Sequence, residues 1–229
     1  MTFAHNIAGP DGQFGAYISN PEQPNGAALI VIQEIFGVNQ VMRDLADHYA
    51  SLCYIAIVPD LFWRIEPGIN ITDQTPEEMS KAFELFGKFN IETGLVDLKA
   101  TIEYARTLSA KVGAVGYCLG GLLAFLTACH TDIDASVSYY GVSIDAHADQ
   151  ASKITKPVML HVASEDQFVG KEAQRVMTTM AAAQPAIRLH VYPTLAHAFA
   201  RVGGEHFDAQ GAALANQRTT EFFEQSLLG

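Results

Sequence analysis

The segment Gly116-Tyr117-Cys118-Leu119-Gly120-Gly121 constrains this chain more than any other. An apolar strand, Lys111–Tyr117, runs into it, and Leu119–Ala128 behind it has the small, apolar residues of a buried helix. A strand–turn–helix with glycines on both sides of one reactive side chain fits the G-x-S-x-G elbow, with Cys in place of Ser. The glycines are needed because the turn presses strand and helix backbones together. The helix N-terminus adds N–H groups and partial positive charge, which stabilise a thiolate and a developing oxyanion. A buried structural cysteine on a glycine-rich turn has the same local sequence. A phosphate-binding loop does not, because no Lys-Ser/Thr pair follows the glycines.

Around this segment strand and helix patterns alternate. Ala27–Ile35, Tyr54–Pro59, Ile133–Tyr140, Pro157–Ala163 and Ile187–Tyr192 read as strands. Val41–Leu52, Ile91–Leu108, Lys171–Ala183 and Gln210–Leu227 read as helices. Thr75-Pro76-Glu77-Glu78 is a helix start, with Thr75 as cap, Pro76 in the first turn and Glu78 closing a capping box; that helix runs to about Phe89. Residues 2–19 form an antiparallel edge hairpin about Gly9-Pro10-Asp11-Gly12. The alternation predicts an α/β fold with a mostly parallel sheet and helices on both faces. No linker or repeat interrupts it, so residues 1–229 are expected to be one domain. The one long irregular connection, residues 63–75, is expected to be a lid or wall of a site.

Composition removes several function classes. The formal net charge is −11 with no basic cluster, so nucleic acid and anionic membranes are not expected partners, although one local arginine suffices to hold a small anion. Three cysteines, Cys53, Cys118 and Cys129, make no disulfide framework and no zinc-binding spacing, so no metal is expected. Residues 1–10 lack a basic start and apolar run, and no apolar stretch reaches ~18–20 residues, the length a bilayer needs. A reducing cytoplasm is the expected location.

An elbow of this kind needs an acid and then a histidine further along the chain. Asp166 lies just past the strand 157–163, with Glu165 as an adjacent competitor, and His197 lies past the strand 187–192. Both fall at carboxyl ends of strands, where sheets of this class place their sites. His197 is the candidate base and acid, and Asp166 the group that fixes its tautomer. His161 and His190 sit within strands and are expected to be packed. Glu34 closes the otherwise apolar first long strand. It either reaches the Cys118 thiol or makes a structural bond to a loop. The backbone N–H groups of Ile35 and Leu119 are the candidate oxyanion donors, which completes an α/β-hydrolase pattern.

Gln33-Glu34-Ile35-Phe36-Gly37-Val38-Asn39, Pro59-Asp60-Leu61, the Cys118 elbow, Tyr139-Tyr140-Gly141 and His197-Ala198-Phe199-Ala200-Arg201 together resemble the dienelactone hydrolase (carboxymethylenebutenolidase) family, over nearly the whole chain and in order. The resemblance implies a Cys118–His197–Asp166 triad, a Glu34 that holds and helps activate the resting thiol, and an Arg201 that holds a substrate carboxylate. It implies opening of an unsaturated, carboxylate-bearing lactone. The chain departs from the pattern on the helix that starts near Thr75. Met79 stands where a second arginine is familiar, and Phe83 and Phe86 stand where a Tyr and a Trp are; Lys81 is a nearby cation.

The expected function is hydrolysis of a small ester or lactone, anionic ones included, through a thioacyl enzyme, with no metal or organic cofactor. Phe36, Phe83, Phe86 and Trp63 are the expected pocket walls, with ordinary core packing as the alternative for Phe83 and Phe86. A monomer or weak homo-oligomer is expected. The alternatives are a broader thioesterase or carboxylesterase, and a non-catalytic small-molecule binding protein.

Overall fold

The computed structural model describes residues 2–229. Contacts group the chain into two units, one running to Gly113 and the other starting at Ala114.

In the first unit, β1 (His5–Gly9) and β2 (Gly12–Ser19) form the expected hairpin, with Ile7 opposite Phe14. β3 (Ala27–Ile32) and β4 (Ile55–Pro59) are parallel and buried at every position, as strands covered on both faces must be. β2 joins β4 antiparallel. Helix α1 (Gln40–Ser51) turns Met42, Ala46 and Tyr49 inward and packs on β2, β3 and β4. Asn39 caps it by accepting the Met42 N–H. α2 (Pro76–Lys88) starts where the sequence predicts. Thr75 accepts the Glu78 N–H, and the Glu78 carboxylate takes the hydroxyls of Thr72 and Thr75. α3 (Ile91–Arg106) packs on β1 and β3.

β3 ends three residues before the predicted boundary. Gln33 turns its side chain to the backbone, accepting the Leu61 N–H and donating to the Glu34 carbonyl, which takes the place of a ladder. The connection after β4 is tied down. Asp60 accepts from Phe62 N–H at 3.1 Å and Gly68 N–H at 2.7 Å. Burial raises its pKa to about 6 against those two bonds. Gly37 (φ 73°) lies so close that a Cβ there would sit 2.2 Å from the Ile69 carbonyl oxygen. Trp63 is spent on this framework and is not shown as a pocket wall. Its Nε1–H donates to Asp97 at 2.8 Å, its ring stacks on Phe14, and Arg64 lies over it while pairing with Asp97 and Asp11.

β5 (Lys111–Tyr117) ends in the second unit, which continues with α4 (Leu119–His130), β6 (Ala135–Tyr139), a 3-10 helix (Asp145–Lys153), β7 (Val158–Ala163), α5 (Lys171–Ala183), β8 (Ile187–Tyr192) and α6 (Ala209–Phe223), then a π-helical turn, Glu224–Leu228. β6, β7 and β8 are parallel, with Ser138 beside Leu160 and Val162 beside Val191. α4 packs on β6, α5 on β8 and α6 on β7. The 3-10 helix is the element the sequence reading lacks. β6 starts later than predicted because the Thr131 hydroxyl takes the Ile133 N–H and holds a turn there. The eight strands follow the order β1-β2-β4-β3-β5-β6-β7-β8. This is the mostly parallel α/β-hydrolase arrangement that the sequence predicts.

Candidate active site

Cys118 sits between β5 and α4 with φ 56° and ψ −113°, a conformation L-residues rarely adopt. The flanking glycines allow it. A Cβ on Gly116 would fall 1.8 Å from the Gly120 carbonyl oxygen, and one on Gly121 would fall 2.7 Å from Gly141 Cα. The Cys118 carbonyl takes the N–H groups of Gly121 and Leu122, and its own N–H donates to the Tyr139 carbonyl at 3.1 Å. No side chain caps α4, and the amides of Leu119 and Gly120 have no partner within the helix. The turn thus presents a half-buried thiol beside uncommitted N–H groups at a positive helix end.

Asp166 and His197 come from the loops after β7 and β8. These loops are stitched together by Glu165 N–H to the Leu195 carbonyl at 2.8 Å and by Thr194 N–H to the Ser164 hydroxyl at 2.8 Å. Asp166 Oδ1 takes the N–H groups of Phe168 (2.8 Å) and Val169 (3.1 Å). Its Oδ2 takes His197 Nδ1–H at 2.8 Å. Nε2 of the ring is left for Cys118, to which His197 is also hydrogen-bonded. Glu165, the neighbouring carboxylate, faces outward and pairs with Lys171 at 3.0 Å. That pairing lowers its pKa.

Burial alone would drive His197 neutral. The bonds to Asp166 and Cys118, and their negative charge, outweigh it and raise its pKa from the ordinary 6.5 to about 10. Two rings brace the imidazole edge-on: Tyr140 at 5.1 Å and Phe168 at 4.8 Å between centroids. Neither was assigned a role from sequence. Tyr140 belongs to the Tyr139-Tyr140-Gly141 motif and Phe168 lies two residues past Asp166, so adjacency to the motifs is the signal that the sequence carries for them. His161 is buried and hydrogen-bonded within the core, as its place in a strand predicts.

Arg201 lies in the turn after Phe199, where its N–H bonds the Ala198 carbonyl. A Cβ on Gly204 would come within 2.9 Å of Arg201 Nε, so the turn is shaped closely around this guanidinium. In the first unit, Glu34, Ile35 and Phe36 are all buried, just past β3. Phe83 and Phe86 are not core residues. They are 47% and 40% exposed on α2, whose buried residues are Ala82 and Leu85. Lys81 pairs with Glu66 and Glu84, and Lys88 pairs with Glu84. Among the described residues, no group of three or more His, Cys, Asp or Glu is placed to hold a metal ion, and no helix is long and apolar enough to cross a membrane.

Buried acid, braced imidazole and helix-end thiol are what acyl transfer to a thiol requires. The model of the dienelactone hydrolase family matches residues 14–227. A protein of Azospirillum brasilense described as "Putative carboxymethylenebutenolidase" is 47% identical over 230 residues, covering 99% of this chain and 100% of that one. The carboxymethylenebutenolidase of Pseudomonas putida is 36% identical over 226 residues, covering 97% and 96%. Among solved structures, one described as a "Putative Dienelactone Hydrolase" from Klebsiella pneumoniae superposes with a TM-score of 0.83 at 25% identity, over 96% of each chain. This chain therefore belongs to the dienelactone hydrolase family, a family of hydrolases.

Proposed function

We propose that the protein hydrolyses a small ester or lactone with Cys118 as nucleophile. The observation that carries this is the His197–Asp166 bond, with His197 also bonded to the thiol at the N-terminus of α4. The Cys118 thiol gives its proton to His197 Nε2 as its sulfur attacks the acyl carbon, and the carbonyl π electrons move to oxygen. The Leu119 and Ile35 N–H groups hold that oxyanion. Collapse expels the alkoxide, which takes the His197 Nε2 proton, and leaves a thioester on Cys118. Water then gives a proton to His197 and adds to the thioester; the thiolate leaves and the acid product departs. For a lactone, the alkoxide and the new carboxylate stay on one molecule, so the ring opens. Asp166 keeps Nδ1 protonated throughout. Glu34 is the group assigned to hold and activate the resting thiol, supported by its burial just past β3. Arg201 is assigned to a carboxylate on the substrate.

The relatives named carboxymethylenebutenolidase make a carboxylate-bearing lactone the first substrate to test. A broader carboxylesterase is the second reading. Its support is α2: Met79 stands where the resemblance implies a second arginine, and both lysines of the helix are already paired with glutamates. Loss of one charge-assisted clamp costs about 1–3 kcal/mol, or roughly 10–100-fold in discrimination. Phe36, Phe83 and Phe86 are assigned to the pocket wall.

A panel of lactones, activated esters and acyl thioesters, with and without an acidic group, tests these readings against Cys118→Ala. Full activity of that variant on every substrate hydrolysed by the wild type removes the nucleophile assignment. Absence of any hydrolysis, with no labelling of Cys118 by an electrophilic ester, leaves a binding protein. The same reading treats residues 1–229 as one domain, supported by a family match from 14 to 227, and places the protein in the cytoplasm, supported by three unpaired cysteines.

A further inference from the structure

A second set of polar side chains, buried through Tyr192, His161, Thr219 and Tyr139 and half-buried at its ends, Arg218 and Asn216, lies in the unit that holds the triad, and the hydrolysis does not use it. Arg218 Nη1 lies 3.2 Å from the Tyr192 hydroxyl, which lies 2.8 Å from His161 Nδ1. His161 Nε2 is 3.0 Å from the Thr219 hydroxyl, which is 2.6 Å from the Tyr139 hydroxyl, and that in turn donates to Asn216 Oδ1 at 3.0 Å. The residues come from β6, β7, β8 and α6.

Donor counting gives the chain one direction. Arg218 can only donate, so the Tyr192 oxygen accepts and its single proton goes to His161 Nδ1. The neutral ring then carries its proton on Nε2 and gives it to Thr219. Thr219 passes its proton to Tyr139, and Tyr139 donates to Asn216. Reading back from Asn216 Oδ1, which can only accept, gives the same direction. Each hydroxyl accepts one bond and donates one, and such a chain strengthens cooperatively in a buried setting. An imidazolium would put a second donor against Tyr192 and break it. Burial holds the His161 pKa well below its ordinary value, helped by the charges of His190 and Arg218.

The chain touches the catalytic machinery at two points. The Tyr139 carbonyl holds the Cys118 N–H, and the Tyr139 ring stacks on Tyr117 at 4.7 Å and lies tilted against His161 at 4.4 Å. The His161 carbonyl takes the Tyr140 N–H at 2.8 Å, and Tyr140 is one of the rings bracing His197. A turn with positive φ at a side-chain-bearing residue persists only when its surroundings over-determine it.

We propose that His161, as its Nε2–H tautomer, and Thr219 are positioning residues for the hydrolysis: through this one-way chain, α6 fixes Tyr139 and Tyr140, and these fix the Cys118 turn and the His197 ring. The inference rests on the Cys118–His197 reading above.

Two measurements test it. In the 15N-labelled wild type, His161 (assigned by its absence from His161→Gln) should show a protonated Nε2 and a bare, hydrogen-bonded Nδ1. The opposite tautomer, or an imidazolium, overturns the proposal without any variant. In kinetics, Thr219→Val should lower kcat by about 10–100-fold, the cost of a small misplacement, with KM within about twofold, and Thr219→Ser should restore most of it. Wild-type kcat in a folded Thr219→Val, or equal losses in Val and Ser variants, also overturns it. Failure of the underlying reading looks different: Cys118→Ala would then retain wild-type hydrolysis, whatever Thr219 variants do.

Discussion

His197 Nδ1 and Asp166 Oδ2 lie 2.8 Å apart with their side chains 7% and 0% exposed, and the other carboxylate oxygen is already held by two backbone N–H groups. The carboxylate therefore cannot rotate without losing both amide bonds. In Asp166→Asn the amide oxygen stays with Phe168 and Val169, and the NH2 group faces Nδ1. The imidazole must then carry its proton on Nε2, where it cannot accept one from the thiol. A loss of kcat on the order of 10³–10⁴-fold is expected, as for the same change in a serine triad, in a variant whose circular dichroism is unchanged.

The raised pKa of His197 has a consequence for stability. The folded value is about 10 and the unfolded value about 6.5. A cation favoured in the fold stabilises fully below pH 6.5, and that contribution disappears as pH rises through 10. The unfolding free energy of the wild type relative to His197→Gln should therefore fall steadily between these limits in urea titrations. Cys118→Ala removes one hydrogen bond and one charge from the ring, so an NMR titration should find its pKa lower than in the wild type.

The three thiols should separate by reactivity. Burial pushes Cys129 up to about 11, Cys53 is exposed, and Cys118 is half-buried beside the imidazole. Iodoacetamide at pH 8 is expected to modify Cys118 and Cys53 and to spare Cys129, as followed by peptide mass spectrometry. His197→Ala should slow labelling of Cys118 by at least about tenfold and leave Cys53 unchanged, since the thiolate is the attacking species.

Asp97 offers a test of the framework in the first unit. It is buried and accepts from Trp63 Nε1 at 2.8 Å and from Arg64 Nη2 at 2.7 Å and Nε at 3.1 Å. Asp97→Ala leaves the indole N–H without its acceptor and Arg64, 24% exposed, with only the exposed Asp11 as partner. It should cost about 1–3 kcal/mol in chemical denaturation, because hydrogen bonds to a buried charged group are lost while the guanidinium keeps one ion pair.

The strands and helices were readable where one chemistry runs through a whole segment. Lys111–Tyr117, Lys171–Ala183 and Ile187–Tyr192 have the ends that hydrophobic period and local breakers predict. The 3-10 helix Asp145–Lys153 was not readable, for it buries only Ala151 and shows no helical stripe. Cys118, Asp166 and His197 stand out in the sequence as candidates because each sits at a strand end beside a recognisable turn. The role of Trp63 could not, since it depends on Asp97, 34 residues away. The chain through His161 was hidden for the same reason: His161 and Thr219 are 58 residues apart, and Tyr139 and Thr219 are 80 apart. A sequence shows that His161 is interior, but donor counting needs its neighbours.

The glycines around Cys118 divide this corner of the protein into replaceable and irreplaceable parts. Gly116 and Gly121 have no room for one more carbon, while the side chain at 118 is half-open and makes no capping bond. Evolution, or an engineer, can therefore exchange sulfur for oxygen there by a single codon and keep the backbone scaffold. A substitution at either glycine changes the scaffold itself. The chemistry of such a protein can drift faster than its shape, and divergence between relatives is expected in what they attack before it appears in how the turn is built.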